Sequence, residues 1–548
     1  MPIIESGSID KVGGQKHQYL VLKKFRSLNT QPSREALAED EFAWLENLMP
    51  IGDAFIKAVP QVGNAIATVT ANITAMHPAT LGTVNYQINF TSAGGAQAVN
   101  LGNSSVVTIT GGGTFSGTPA MDQWKSERVV IADTNGMYSW DGTLFHSPGS
   151  LATITVTAGG SGFTTTPVVT FSGGGGSNAT AVATLSGGAV LTIAITGVGS
   201  GYTAAPTIGF TGGGGSSATA LALIMPTGMN GDAIATFAGR VFVANGRLLS
   251  YTAPNTWYDV ALANAAGSTT ITEGSLRQKI FGLEALDNYL YVVGDSSIII
   301  IGDLKVTGSL TTFSQTFLSS TTGSTLPNTI TALERAIVFV NKYGVYALYG
   351  ASVQKVSKAL DGIFPKIDFT QPVTAGLAQI YNILCYVFSF TYQDVNSNRS
   401  LQALLFDGKW FLTSQGPALT RVAPASINGV LSIWGTSGTD VRQLYSNTTA
   451  TIATTLVTGL YDLGNPIFDK QVIHTGIEYT APAQSSVNLQ IDTEEATVQQ
   501  TSTGGNTLTW YNDSGQEITW VNNTNNQITW IVTTFLLDDF PTAIHGKY

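Results

Sequence analysis

The sequence has a single cysteine, Cys385, in 548 residues, so no intrachain disulfide can hold the fold. It sits in Ile383-Leu384-Cys385-Tyr386-Val387-Phe388, where a small buried thiol is expected. Charge is scarce as well. Charged residues make up 11%, less than half the usual share of about 25%. Positive charge is the minority, 25 Lys and Arg against 35 Asp and Glu, a net charge of −10. That balance excludes binding driven by the neutralisation of phosphates, which needs a basic face. It is compatible with lining a passage for DNA, because repulsion keeps a polyanion from sticking. No run approaches the roughly 18 apolar residues that cross a bilayer. The opening MPIIESGSIDKVGG has neither the basic flank nor the apolar core of a signal peptide. A soluble chain made in a cytoplasm is expected.

Catalytic and ligating patterns are also missing. The histidines His17, His77, His146, His474 and His545 are scattered, with no i, i+4 pair and no cysteine beside them. Neither a calcium loop of the D-x-[DN]-x-[DN]-G type nor a G-x-S-x-G elbow occurs. The runs Gly173–Gly176 and Gly212–Gly215 are followed by Ser177 and Ser216 with no lysine near, so they read as hairpin loops rather than phosphate cradles. A glycosidase would need two convergent carboxylates. The candidates are Asp133, Asp141, Asp259, Glu284, Asp295, Asp303 and Asp407, and most stand beside Gly or Asn in turns, where Asp bonds its own backbone. No catalytic, cofactor-binding or metal site is nominated, and no enzyme is expected.

What is present points to β structure. Glycine reaches 60 residues and 43% of the chain is apolar, which suits strands with tight turns. One helix is expected, on Ala38, Phe42, Leu45 and Met49 at helical spacing, between Pro32-Ser33 and Pro50-Ile51-Gly52. From Val129 to Tyr445 a unit of strand, turn and aromatic-ended strand recurs. Its instances are Val129–Trp140, Ile234–Tyr251, Leu283–Ile301, Ile330–Tyr349, Leu377–Trp410 and Val422–Tyr445. Such repetition suggests an irregular β-propeller of about six blades, with β-sandwiches as the alternative.

Two further repeats stand out. GSGFTTTPVVTFSGGGGSNATAVATL and GSGYTAAPTIGFTGGGGSSATALALI align without a gap, placing a duplicated Gly-rich β-module inside the blade series. Near the C-terminus, Leu508-Thr509-Trp510, Ile518-Thr519-Trp520 and Ile528-Thr529-Trp530 form a ladder that spends three of the nine tryptophans. Leucine or isoleucine shares each Trp face, so a packed β-meander with cross-strand aromatic pairs is expected, rather than an exposed sugar-stacking platform. The expected division is 1–80, an N-terminal segment with the helix; 81–146, a first β part with the first blade; 147–226, the inserted repeat; 227–450, the rest of the propeller; and 451–548, the C-terminal β domain.

Phe25–Gly63, FRSLNTQPSREALAEDEFAWLENLMPIGDAFIKAVPQVG, resembles the opening of tail nozzle proteins of short-tailed bacteriophages. The likeness lies in Leu28-Asn29-Thr30, in Glu41-Phe42-Ala43-Trp44-Leu45-Glu46-Asn47, and in the turn Pro50-Ile51-Gly52. Phe237–Ala244 and Ser250–Asp259 also look like that family's propeller strands. The resemblance implies a structural virion protein, a homo-oligomeric ring of six copies continuing the DNA channel below the head-to-tail adaptor ring. Such a ring would adjoin tail fibres or spikes, hold double-stranded DNA without reading its sequence, and release it through the host cell envelope at ejection. A tail fibre or receptor-binding protein contacting surface glycans, as a trimer, is the alternative.

Overall fold

A computed structural model describes residues 22–461 apart from 53, 54, 396, 428, 450 and 451, together with strand segments between 470 and 546. The chain divides into two compact units. One comprises Lys23–Pro32 and Asp40–Val457; the other takes in Ser33–Glu39 and the chain from Thr458.

The larger unit is a seven-bladed β-propeller. Its sheets run in chain order, each beginning with its innermost strand: Ile73–Leu81, Ala120–Trp124, Ala233–Phe237, Ile280–Leu286, Thr331–Leu333, Thr374–Ile380 and Arg421–Ile427. They are called blades 1 to 7 below. Successive strands pair antiparallel outward, four to a blade, and blade 6 carries two more, Trp44–Glu46 and Thr455–Val457. Blade 7 takes its fourth strand, Ala65–Thr68, from the N-terminal side of the chain, so the first and last parts of the propeller share one sheet. The sequence suggested about six blades; the seven sheets include Ile73–Thr110, which lies before the first repeat unit read from the residues.

The apolar runs follow from burial on both faces of each blade. In blade 2, Val129 and Ile131 enter the cluster shared with blade 1, while Val130 and Ala132 enter the cluster shared with blade 3. Further clusters join blades 3 and 4, blades 4 and 5, and blades 5, 6 and 7. A last one, with Val69, Ile73, Trp434 and Val441, joins blade 7 to blade 1 and closes the ring. A strand covered on both sides reads as a continuous apolar stretch rather than an alternating one.

The helix expected over Ala38–Met49 does not form. That stretch holds short strands, Glu41–Phe42, Trp44–Glu46 and Leu48–Ile51, after a single 3-10 turn at Arg34–Ala36. Bends at Ala43 and Asn47 separate the strands, and Asn47 has φ +61°, a left-handed conformation that interrupts any helix. Phe42, Leu45 and Met49 are all fully buried. The bends restore inward orientation every three or four residues, which mimics helical spacing. Pairing with blade 6 outweighed local propensity.

Between blades 2 and 3, Leu151–Ile224 forms a six-stranded sheet. Each repeat supplies three strands, and the pairing is reciprocal. The first strand of each repeat pairs with the third of the other: Leu151–Ser161 with Ser216–Ile224, and Ala189–Ser200 with Ser177–Ser186. The middle strands, Val168–Ser172 and Thr207–Thr211, pair with one another about a pseudo-twofold axis. The aromatic side chains Phe163 and Tyr202 are buried at equivalent places under the other repeat's glycine run.

In the second unit Lys470–Tyr479 pairs with Leu536–Gly546, and Ser486–Asp492 with Thr497–Thr503. The tryptophan ladder is described only in its backbone pairings. Trp510 stands opposite Ile518 and Trp520 opposite Ile528, so in these pairs the register sets each Trp against an isoleucine rather than another Trp. The packing of their side chains, and Trp530, lie outside the described residues.

Candidate functional site: the propeller axis

An innermost strand has one edge with no strand beside it, and its N–H and C=O groups need other partners. Here side chains of the neighbouring blade supply several of them. Thr80 N–H of blade 1 donates to Gln123 Oε1 of blade 2 at 2.8 Å, while Gln123 Nε2 donates back to Thr80 O and, at 2.7 Å, to Lys125 O. Thr236 of blade 3 donates its N–H and Oγ1 to Asp122 Oδ2 of blade 2, at 2.5 and 2.9 Å. The Ala332 N–H of blade 5 donates to Glu284 of blade 4. Val422 N–H of blade 7 donates to Thr374 Oγ1 of blade 6 at 2.9 Å, and Arg421 Nε donates to Thr74 O of blade 1 at 2.8 Å.

The axis carries unusual protonation. Burial pushes the Glu284 carboxyl up to about 8, and the nearby charge of Asp122 adds to the effect against the Ala332 N–H. Burial also raises Asp122, opposed by its hydrogen bonds from Thr236 and Gln123. His77 is lowered to about 4 by burial, although the Pro119 carbonyl accepts its ring N–H. At neutral pH the axis therefore presents a mainly protonated Glu284 and an uncharged His77. Between blades 1, 2 and 7 lies a recess of about 340 Å³ lined by His77, Thr80, Asp122, Gln123, Pro424 and Leu431.

A raised carboxyl beside a second carboxylate is the arrangement from which acid–base chemistry is built. The hydrogen bonding of Asp122 argues for another use. Its Oδ2 is held by Thr236, and its Oδ1 accepts the Gln123 N–H at 2.7 Å. Oδ2 thus joins blade 2 to blade 3, and Oδ1 is taken up by the next residue of its own strand.

The other carboxylates named from the sequence lie apart, mostly in turns. Asp133 accepts the N–H groups of Ser116, Asn135 and Gly136, and Asp141 those of Thr143 and Leu144. Asp259 accepts from Ala261 N–H, and Asp295 from those of Arg277 and Gln278. Asp303 and Asp407 hold positive φ, 52° and 46°. Although burial alone would raise Asp141, its neighbours His146, Leu144, Thr143 and Arg128 hold it down at about 2. Only Glu284 of the seven sits on the axis. Asp122 was missed: Ala120-Met121-Asp122-Gln123-Trp124 carries no mark of an innermost strand, and only its alternation could have flagged an inward polar pair.

Cys385 is fully buried, and burial pushes its thiol up to about 12, so it is no nucleophile at neutral pH. His146 Nδ1 lies 2.7 Å from Leu151 O, at the root of the inserted module. Of the other histidines, His474 and His545 lie on the paired strands of the second unit, and His17 is outside the described residues. Among the described residues no three His, Cys, Asp or Glu side chains converge.

No family model and no curated protein sequence matches the chain. Among solved structures it is similar to the WD40 repeats of RRP9, at 9% identity over 70% of this chain and 98% of that one, with a TM-score of 0.36. U3-55K is similar at 8% identity over 70% and 98%, with a TM-score of 0.35. The β-propeller domain of Myceliophteria thermophila Cps50 (Swd1) is similar at 9% over 69% and 100%, with a TM-score of 0.27. The assignment of a propeller rests on the seven sheets and their closed ring of clusters.

Proposed function

We propose that this chain is a structural subunit of the tail nozzle of a short-tailed bacteriophage, six copies of which surround the DNA channel below the adaptor ring and hold the genome until ejection. The resemblance of Phe25–Gly63 to that family suggests the assembly. The observation that carries a structural role is the use of the axial polar groups. Asp122, Gln123, Thr374 and Arg421 are each engaged in joining one blade to the next. A propeller whose axis is filled in this way acts as a rigid block. Because these side chains bridge the innermost strands, in this reading the DNA passage is formed between copies, around an axis of the assembly. The excess of acidic residues, 35 against 25, suits a passage that must not retain a polyanion.

Native mass spectrometry of the purified full chain, with class averages of negatively stained particles, tests the reading. A six-fold ring is expected. A trimer, or a monomer that binds surface sugars, overturns it in favour of a receptor-binding protein.

A further inference from the structure

The inserted module has a property that its glycine runs hide. From Ser147 to Gly231 there is no Asp, Glu, Lys, Arg or His, in a chain whose net charge is −10. Its sheet carries an apolar core, with Leu151, Val190 and Ala222 buried. Its outer surface is open. Val168, Val182, Leu191 and Leu221 are exposed to 64%, 53%, 61% and 52%. Around them stand exposed threonines that bond one another in cross-strand pairs, Thr180 with Thr196 at 2.9 Å and Thr184 with Thr192 at 2.6 Å. Their hydroxyls are partly satisfied within the face, and their methyl groups extend the apolar surface.

Two copies of a chain with ten surplus negative charges repel on balance. The module is the long stretch on which they can touch without that penalty. Its symmetry supplies the second requirement. A ring contact is heterologous, so each copy must offer one patch to the preceding neighbour and another to the following one. The duplication provides two. Val182 in the first repeat is equivalent to Leu221 in the second, and two strands lie between theirs in the sheet order, three strand spacings or about 14 Å along the sheet.

We propose that this charge-free face is the surface on which copies of the chain associate, the Val168–Val182 patch of one module seating against the Leu221 patch of the next. The proposal deepens the ring reading above and rests on it.

The test compares the wild-type chain with the double variant Val182→Lys/Leu221→Lys by native mass spectrometry and light scattering. Both side chains are exposed, so the variant is expected to keep the wild-type circular dichroism and melting temperature. The pair Val168→Lys/Thr207→Lys serves as a second variant of the same two patches. The wild type is expected to assemble, and both variants to fall to the 57.5 kDa monomer. Wild-type assembly is expected to strengthen as salt rises from about 0.05 to 0.5 M, since screening removes only repulsion. A wild type that stays monomeric overturns the proposal, including one that binds a neutral oligosaccharide. A hexamer that both variants preserve overturns this interface while leaving the ring intact. An assembly of another order that the variants abolish supports the interface and overturns the ring of six.

Discussion

Asn47 carries more of the N-terminal architecture than its neighbours' hydrophobicity suggests. It is buried at φ +61°, and its Nδ2 donates to Ser414 Oγ at 3.0 Å and to Ala453 O at 2.8 Å, while Ser414 N–H donates to its Oδ1 at 2.8 Å. Asparagine tolerates the left-handed region that most residues avoid. Replacement by alanine strands those partners and strains the backbone, so Asn47→Ala is expected to lower stability by about 2–4 kcal/mol in urea unfolding. Glu284 makes a prediction of a different sign. Its folded-state carboxyl stands at about 8 against an ordinary 4.5. The stabilising effect of its proton is complete below pH 4.5 and is lost as pH rises through 8. Glu284→Gln keeps a neutral group at every pH. The variant should match the wild type near pH 4.5 and exceed it by on the order of 1–3 kcal/mol at pH 9. Melting curves whose separation does not change with pH would show that the carboxyl is freely solvated.

At the scale of elements, the module and the N-terminal strands teach opposite lessons. The duplication is plain in the residues, because Phe163 and Tyr202, Pro167 and Pro206, and both glycine runs recur in register. The reciprocal pairing is not, since identical repeats could equally form two separate three-stranded sheets. Its signature is steric. A Cβ on Gly174, at φ +72°, would lie 2.4 Å from Ala204 O of the other repeat, and one on Gly213, at φ +76°, would lie 2.5 Å from Thr165 O. Gly174→Ala and Gly213→Ala are therefore each expected to open the module, with matching effects. Limited proteolysis should then cut within 147–226 while the blades stay resistant; equal resistance in variant and wild type would refute the reciprocal packing. Over Ala38–Met49 the residues mislead, because bends at Ala43 and Asn47 reproduce helical spacing in short strands. Spacing alone cannot separate the two when the strands are only two to four residues long.

For the whole molecule, the seam between blades 7 and 1 is where the ring is closed by chain from two distant places. Val69 follows the strand that completes blade 7, is 4% exposed, and packs in the seam with Ile73, Trp434 and Val441. Its N–H donates to Thr439 O at 2.8 Å. Val69→Asp would bury a charge without a partner there, with an expected loss of several kcal/mol. Hydrogen exchange should rise first in Ala65–Thr68 and its partners Asp440–Gln443. Uniform acceleration across all blades would mean that the seam has no special part in closure.

The amino-acid sequence by itself determined the β class, the repeated blades, the duplicated insertion and the want of any ligating or nucleophilic pattern. Each is set by local composition, turn chemistry or self-similarity, which need no partner to be read. Only the tertiary structure decided the seventh sheet, the strand exchange that closes the ring, the placing of Asp122, Glu284 and His77 on innermost strands, and the fate of the supposed helix. These depend on residues far apart in the chain. Trp44–Glu46, for instance, pairs with both Lys409–Thr413 and Thr455–Val457. Burial against those strands supplies the free energy that overrides local preference, and no window of sequence contains it.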